Sequence, residues 1–99
     1  MRITPQTADI IRATVKEILG ESAVVSLFGS RADDNARGGD IDLFIQTEAP
    51  VAHRASAAAR VVAALQMRLG DQKIDVVLVD PTTPPQPIHE VARKTGIRL

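Results

Sequence analysis

Apolar positions along the chain fall into runs of two kinds. From Pro5 to about Leu19, Ile10, Ile11, Val15, Ile18 and Leu19 recur at the spacing of one helical face. Thr4 can cap this helix, Pro5 suits its first position and Gly20 a stop. Ala23 to Phe28 is short, apolar and rich in β-formers, and reads as a buried strand. Asp40 to Gln46 alternates and then turns apolar, a second strand. Pro50 to Leu69 is Ala-rich, carries Val61, Val62, Leu65 and Leu69 at helical spacing, and closes at Gly70. Lys73 to Val79 is a third strand, ended by Asp80-Pro81. The Pro-rich stretch to Pro87 is a loop or a semi-rigid arm. Ile88 to Lys94 predicts a short last helix stopped by Gly96, with Ile97 to Leu99 as a tail.

The order helix, strand, strand, helix, strand, helix implies an α/β (α+β) fold, with helices packed on a small mixed sheet. At 99 residues the chain suits a single domain, 1–99, with a modest core. Size alone therefore makes homo- or hetero-oligomerisation, or a partner covering one face, plausible. No apolar run is long enough to span a bilayer and no signal peptide is visible, so the expected location is cytoplasmic.

Twelve basic residues balance twelve acidic ones, which argues against a dedicated nucleic-acid binder. A local nucleotide site remains open. The chain has no cysteine, which excludes disulfides, thiolate metal sites and Cys nucleophiles. Two Phe and no Trp or Tyr make a base-stacking platform unexpected, because Phe28 and Phe44 both lie in strand-like runs.

Candidate chemistry gathers around Asp40 and Asp42. Residues i and i+2 of a strand project from one face, with Ile41 directed to the other. Two adjacent carboxylates repel unless a cation lies between them. Mg²⁺ suits such oxygen ligands together with substrate phosphates, and a pair of ions can serve both oxygens of a phosphoryl displacement. Asp75 stands in an otherwise apolar strand, where an acid is costly unless it faces an open side or a metal. Taken singly, each Asp also fits a solvated strand position or a cap. Gly29-Ser30 directly follows the first strand, where glycine lets backbone approach a phosphate and a helical turn would supply free N–H groups. His53 and His89 read as surface residues, Asp33 and Asp34 as solvated loop acids, Asp71 and Asp80 as turn formers, and Met67 as core filler.

The segment GSRADDNARGGDIDLFI, Gly29 to Ile45, resembles the GS–spacer–DxD motif of the DNA polymerase β nucleotidyltransferase superfamily. It is most similar to the minimal nucleotidyltransferases, the MNT type often partnered with HEPN-domain proteins in toxin–antitoxin pairs. The likeness extends to the leading helix, the third Asp and the closing IHEVARKTGIRL. It implies that Gly29 and Ser30 hold the β and γ phosphates of a nucleotide. It also implies that Asp40, Asp42 and Asp75 bind two Mg²⁺ ions, with Asp75 as general base. Arg31 and Arg37 are either phosphate contacts or solvated loop arginines. Asp34 and Gly39 stand where many relatives have Gly and Ser, and the spacer is a residue shorter, which alters loop shape more than chemistry.

The implied activity is transfer of AMP from ATP to a partner protein, the antitoxin role in a HEPN pair. A second reading is a binding module that masks a HEPN ribonuclease without catalysis. A weaker third is modification of a small molecule, for which the additional substrate domain usual in such relatives is missing. Three clustered acids favour the enzyme, because a binder needs no like charges held together.

Overall fold

The computed structural model describes residues 3–29 and 40–99. The elements run α1 (Pro5–Leu19), β1 (Val24–Phe28), β2 (Ile41–Gln46), α2 (Arg54–Leu69), β3 (Ile74–Val79), α3 (Pro87–Thr95) and β4 (Ile97–Arg98). The start and stop of α1 have local causes. The Thr7 N–H donates to Thr4 Oγ1 at 3.1 Å, Pro5 follows the cap, and Gly20 leaves α1 at φ 100°.

The sheet order is β3-β2-β1-β4. β2 and β3 are parallel, joined by α2, whereas β1 pairs antiparallel with both β2 and β4. The sheet is therefore mixed and flanked by helices, as the order of elements predicts.

Strand alternation divides the sheet into two unlike faces. Val25, Leu27, Ile41, Leu43, Ile45, Ile74 and Leu78 point to one side and form the main core with Ile11 and Val15 of α1 and Ala57, Val61 and Leu65 of α2. Buried Thr14 donates to Ile10 O at 2.7 Å and accepts from Arg68 Nη1 at 2.6 Å, so the one hydroxyl in this layer is satisfied and ties α1 to α2. The other face is smaller: Phe44 and Val79 pack against Ala92 of α3, with Phe28 and Val77 beside them.

Four expectations change. Residues Ile97 and Arg98 are a strand, not a tail, set opposite Leu27 and Ser26. Gly96 makes this possible, because a Cβ there would lie 2.5 Å from Ala92 O and 3.3 Å from Ser26 Cβ. The second helix begins at Arg54 instead of Pro50, and the Val51 N–H ahead of it donates to the Asp80 carboxylate at 2.7 Å. Met67 is 89% exposed: the buried stripe of α2 is 57, 61, 65, and Met67 lies about 200° around the helix from Leu65. His89 is buried, since α3 turns His89 and Ala92 inward while Ile88 and Val91 face out. Its ring lies 6.0 Å from that of Phe44, with the Arg93 guanidinium over the same ring at 5.6 Å. His53 is exposed, as expected.

Asp80 shapes the turn before Pro81 and does more. Its side chain is wholly enclosed, and it accepts from Val51 N, Thr82 N (2.9 Å), Thr82 Oγ1 (2.7 Å), Thr83 Oγ1 (3.1 Å) and Arg54 Nη1 (3.3 Å). The Val51 N–H and the Thr82 hydroxyl are the main reasons its carboxyl lies well below the usual carboxylate range. This node fastens the end of β3 to the start of α2.

Candidate functional site

Two strand pairings assemble a row across the second face of the sheet. The antiparallel register sets Phe28 opposite Asp42, and the parallel register sets Asp42 opposite Asp75. Gly29, next after Phe28, has φ 71°, and a Cβ built on it would overlap Asp42 Oδ2 and come within 3.2 Å of Cγ. The glycine is thus required twice, by its backbone angle and by the carboxylate that fills its side-chain space. Asp42 stands in the middle, with Gly29 on one flank and Asp75 on the other.

Ile41 is buried, as its place between the two acids predicts, and Asp40 lies just ahead of β2. The Ile41 N–H donates to Lys73 O at 3.0 Å, which joins the approaches to β2 and β3. Across that junction Lys73 Nζ lies 3.5 Å from Asp40 Oδ2, an ion pair whose side chains are 69% and 47% exposed. Among the described residues, no group of three or more His, Asp or Glu closes to metal-holding distance. Asp42 and Asp75 meet side by side, whereas Asp40 leans toward Lys73.

The electrostatics report the crowding. The Asp42 carboxyl is pushed above its usual value, first by partial burial, then by the charge of Asp75 and then by that of Asp40. Lys73 opposes this, and a hydrogen bond with Asp75 adds to it. Burial and two like charges together disfavour the ionised aspartate, and a bound cation would relieve both. A hard divalent ion with oxygen ligands suits that donor set, since it would offset the repulsion and fill its coordination with substrate phosphate.

The structure thus brings together Gly29, Asp42 and Asp75, with Asp40 one step in front. Ser30, Arg31, Asp33, Asp34, Arg37 and Gly39 lie outside the described residues. Lys73 is the participant that sequence reasoning passed over. Its signal was the two-residue spacing to Asp75, which places a cation and an acid on one side of a strand.

Residues 12–99 match the family described as Polymerase beta, Nucleotidyltransferase, and the chain belongs to that family. Its fold and its type of function are those of a nucleotidyltransferase domain. None of the curated proteins compared with the chain matches it. Among the described residues, no helix is long and apolar enough to cross a membrane.

Proposed function

We propose that this nucleotidyltransferase uses Mg²⁺ and transfers AMP from ATP to a hydroxyl of a partner protein. The observation that carries the reading is the row Gly29–Asp42–Asp75, formed by three strands and charged beyond what the fold needs. Asp40, Asp42 and Asp75 would hold two Mg²⁺ ions, whose chemistry is to neutralise phosphate oxygens and the leaving group. Gly29 is exposed at the end of β1, where the phosphate chain would lie, with Ser30 and Arg31 following it in sequence. Asp75, the exposed acid of the row, would accept the proton of the acceptor hydroxyl. The hydroxyl oxygen bonds to the α-phosphorus, the bond from that phosphorus to the bridging oxygen breaks, and pyrophosphate leaves. Catalysis of this kind is mainly positioning and electrostatic stabilisation.

The described residues form three helices and four strands, and the reading of a protein acceptor rests on the resemblance to the MNT type. The likeness of Gly29–Ile45 to the MNT type makes a HEPN-domain protein the first partner to try.

The test is to recover the tagged chain with its bound proteins, add Mg²⁺ and α-labelled ATP, and follow label into a co-purified protein. The expected result is covalent label with wild type and none with Asp42→Asn. A stable partner that no labelled nucleotide modifies would replace this reading with that of a masking antitoxin.

A further inference from the structure

The acidic row has one cation pressed against it among the described residues, and nothing in the transfer reaction so far uses it. Lys73 stands directly ahead of β3, two residues before Asp75, and meets Asp40, which stands directly ahead of β2. Its backbone is held by the Ile41 N–H at 3.0 Å, while its ammonium lies 3.5 Å from Asp40 Oδ2. Its charge also reaches Asp42, where it opposes the push of Asp75 and Asp40.

As a stabilising contact this pair is worth little, because both side chains are well exposed and solvent screens them. Its position gives it a different meaning. Three carboxylates with no metal among them carry three negative charges, and Lys73 offsets one. A divalent ion held by Asp40 and Asp42 would offset two of those charges and compete with the ammonium for Asp40. Lysine is a compact charge on a four-carbon stem, and with 69% of this side chain exposed it is free to turn away. The strongest negative charge then nearby is the phosphate chain brought with the metal.

We infer that Lys73 is the resident counter-ion of this site: it neutralises Asp40 in the metal-free protein, yields that carboxylate to the metal, and then faces the nucleotide phosphates. The inference rests on the reading of the acidic row as a metal–nucleotide site. It makes Lys73 act in opposite directions on two ligands, which a merely structural lysine would not do. It competes with a bare divalent cation and assists a metal–nucleotide complex.

The experiment is a pair of calorimetric titrations on the full chain as wild type, Lys73→Met, Lys73→Gln and Lys73→Arg, each checked for folding by circular dichroism. Mn²⁺ alone is the first ligand, and Mg²⁺ with the non-transferable analogue α,β-methylene-ATP is the second. The charge-free variants are expected to bind Mn²⁺ about three- to tenfold more tightly, the size of an exposed, solvent-screened charge effect. They are expected to bind the nucleotide complex more weakly by a similar factor, with Lys73→Arg near wild type in both. The Mn²⁺ gain should shrink at high salt and in an Asp40→Asn background. Charge-free variants that bind Mn²⁺ no more tightly than wild type would overturn the role of Lys73 alone. Wild type that takes up neither Mn²⁺ nor the nucleotide complex would overturn the site and the inference together.

Discussion

The two faces of the sheet obey different rules. Under α1 and α2 every inward strand position is aliphatic, and the helices answer with Ile11, Val15, Val61 and Leu65. On the other face the strands offer Asp42, Phe44, Asp75 and Val77, and α3 answers with a histidine and an alanine while Ile88 and Val91 stay outside. The first face minimises exposed apolar area. The second keeps like charges together at one end and uses a small apolar cluster at the other to hold them in place. Aliphatic packing is concentrated on one side and clustered charge on the other, and the same strand backbone carries both. Asp42 and Leu43 are neighbours in sequence and belong to opposite purposes.

The sharpest way to separate the faces is at these positions. Asp42→Asn is expected to reduce nucleotide transfer by more than about 100-fold, measured as label incorporated per minute. The same variant should melt at an equal or higher temperature than wild type in EDTA. The Asp42 carboxyl is raised above its ordinary 3.8, so the metal-free fold favours its protonated form. That contribution is present below the ordinary value and is lost as pH rises through the raised one. At neutral pH the ionised group is therefore a burden that asparagine relieves. A large fall in melting temperature would contradict the division between the faces.

The reverse experiment is Leu65→Ala, in the first face. A fully buried leucine truncated there should cost about 2–5 kcal/mol, read from urea unfolding monitored by circular dichroism. Near-wild-type stability would mean that the layer under α2 is less tightly packed than its burial implies. Gly29→Ala is expected to affect stability and transfer together. Strain at φ 71° and overlap with the Asp42 carboxylate should cost about 1–3 kcal/mol. Transfer should be lost beyond what that destabilisation accounts for, a combination measured by pairing melts with the label assay.

Asp80 tests the joint between β3 and α2. Its folded carboxyl lies below the ordinary 3.8, so it stabilises the fold above that pH and ceases to do so as pH falls below it toward the folded value. Asp80→Asn should be less stable at pH 7 and lose less on acidification between pH 5 and 2 than wild type. Parallel acid-unfolding curves for the two proteins would remove this explanation. The smallest effect is expected at Met67, where Met67→Lys should shift stability by no more than about 0.5 kcal/mol. A larger loss in the isolated chain would mean that this exposed residue is covered after all.

Much of this was legible in the residues because it depends on neighbours in sequence. Helical spacing located α1 and α2, and runs of β-branched residues located β1 to β3. Alternation alone separated Ile41 from Asp40 and Asp42. At two of the places where the sequence pattern misled, a partner from far along the chain was involved. The segment ahead of α2 is anchored by Asp80, which accepts from the Val51 N–H twenty-nine residues earlier. His89 is buried because Phe44 lies beneath it, not because of anything in the helix that carries it. Met67 looked like core filler because it is apolar, yet its angle on α2 turns it to solvent.

The sequence by itself determined which side of each strand would be apolar, where the helices begin and end to within a few residues, and the presence of three acids without a local reason to be there. Tertiary structure alone decided that β2 and β3 run parallel in the register that sets Asp42 against Asp75. It also decided that Gly29 must give its side-chain space to Asp42, that residues 97–98 complete the sheet, and that Lys73 stands against Asp40. The reason is the range of the forces involved. Periodicity and capping act over one or two turns of chain and are written in adjacent residues. Strand register and charge crowding are set by groups brought together from distant parts of the chain, and their energies exist only once the sheet has formed.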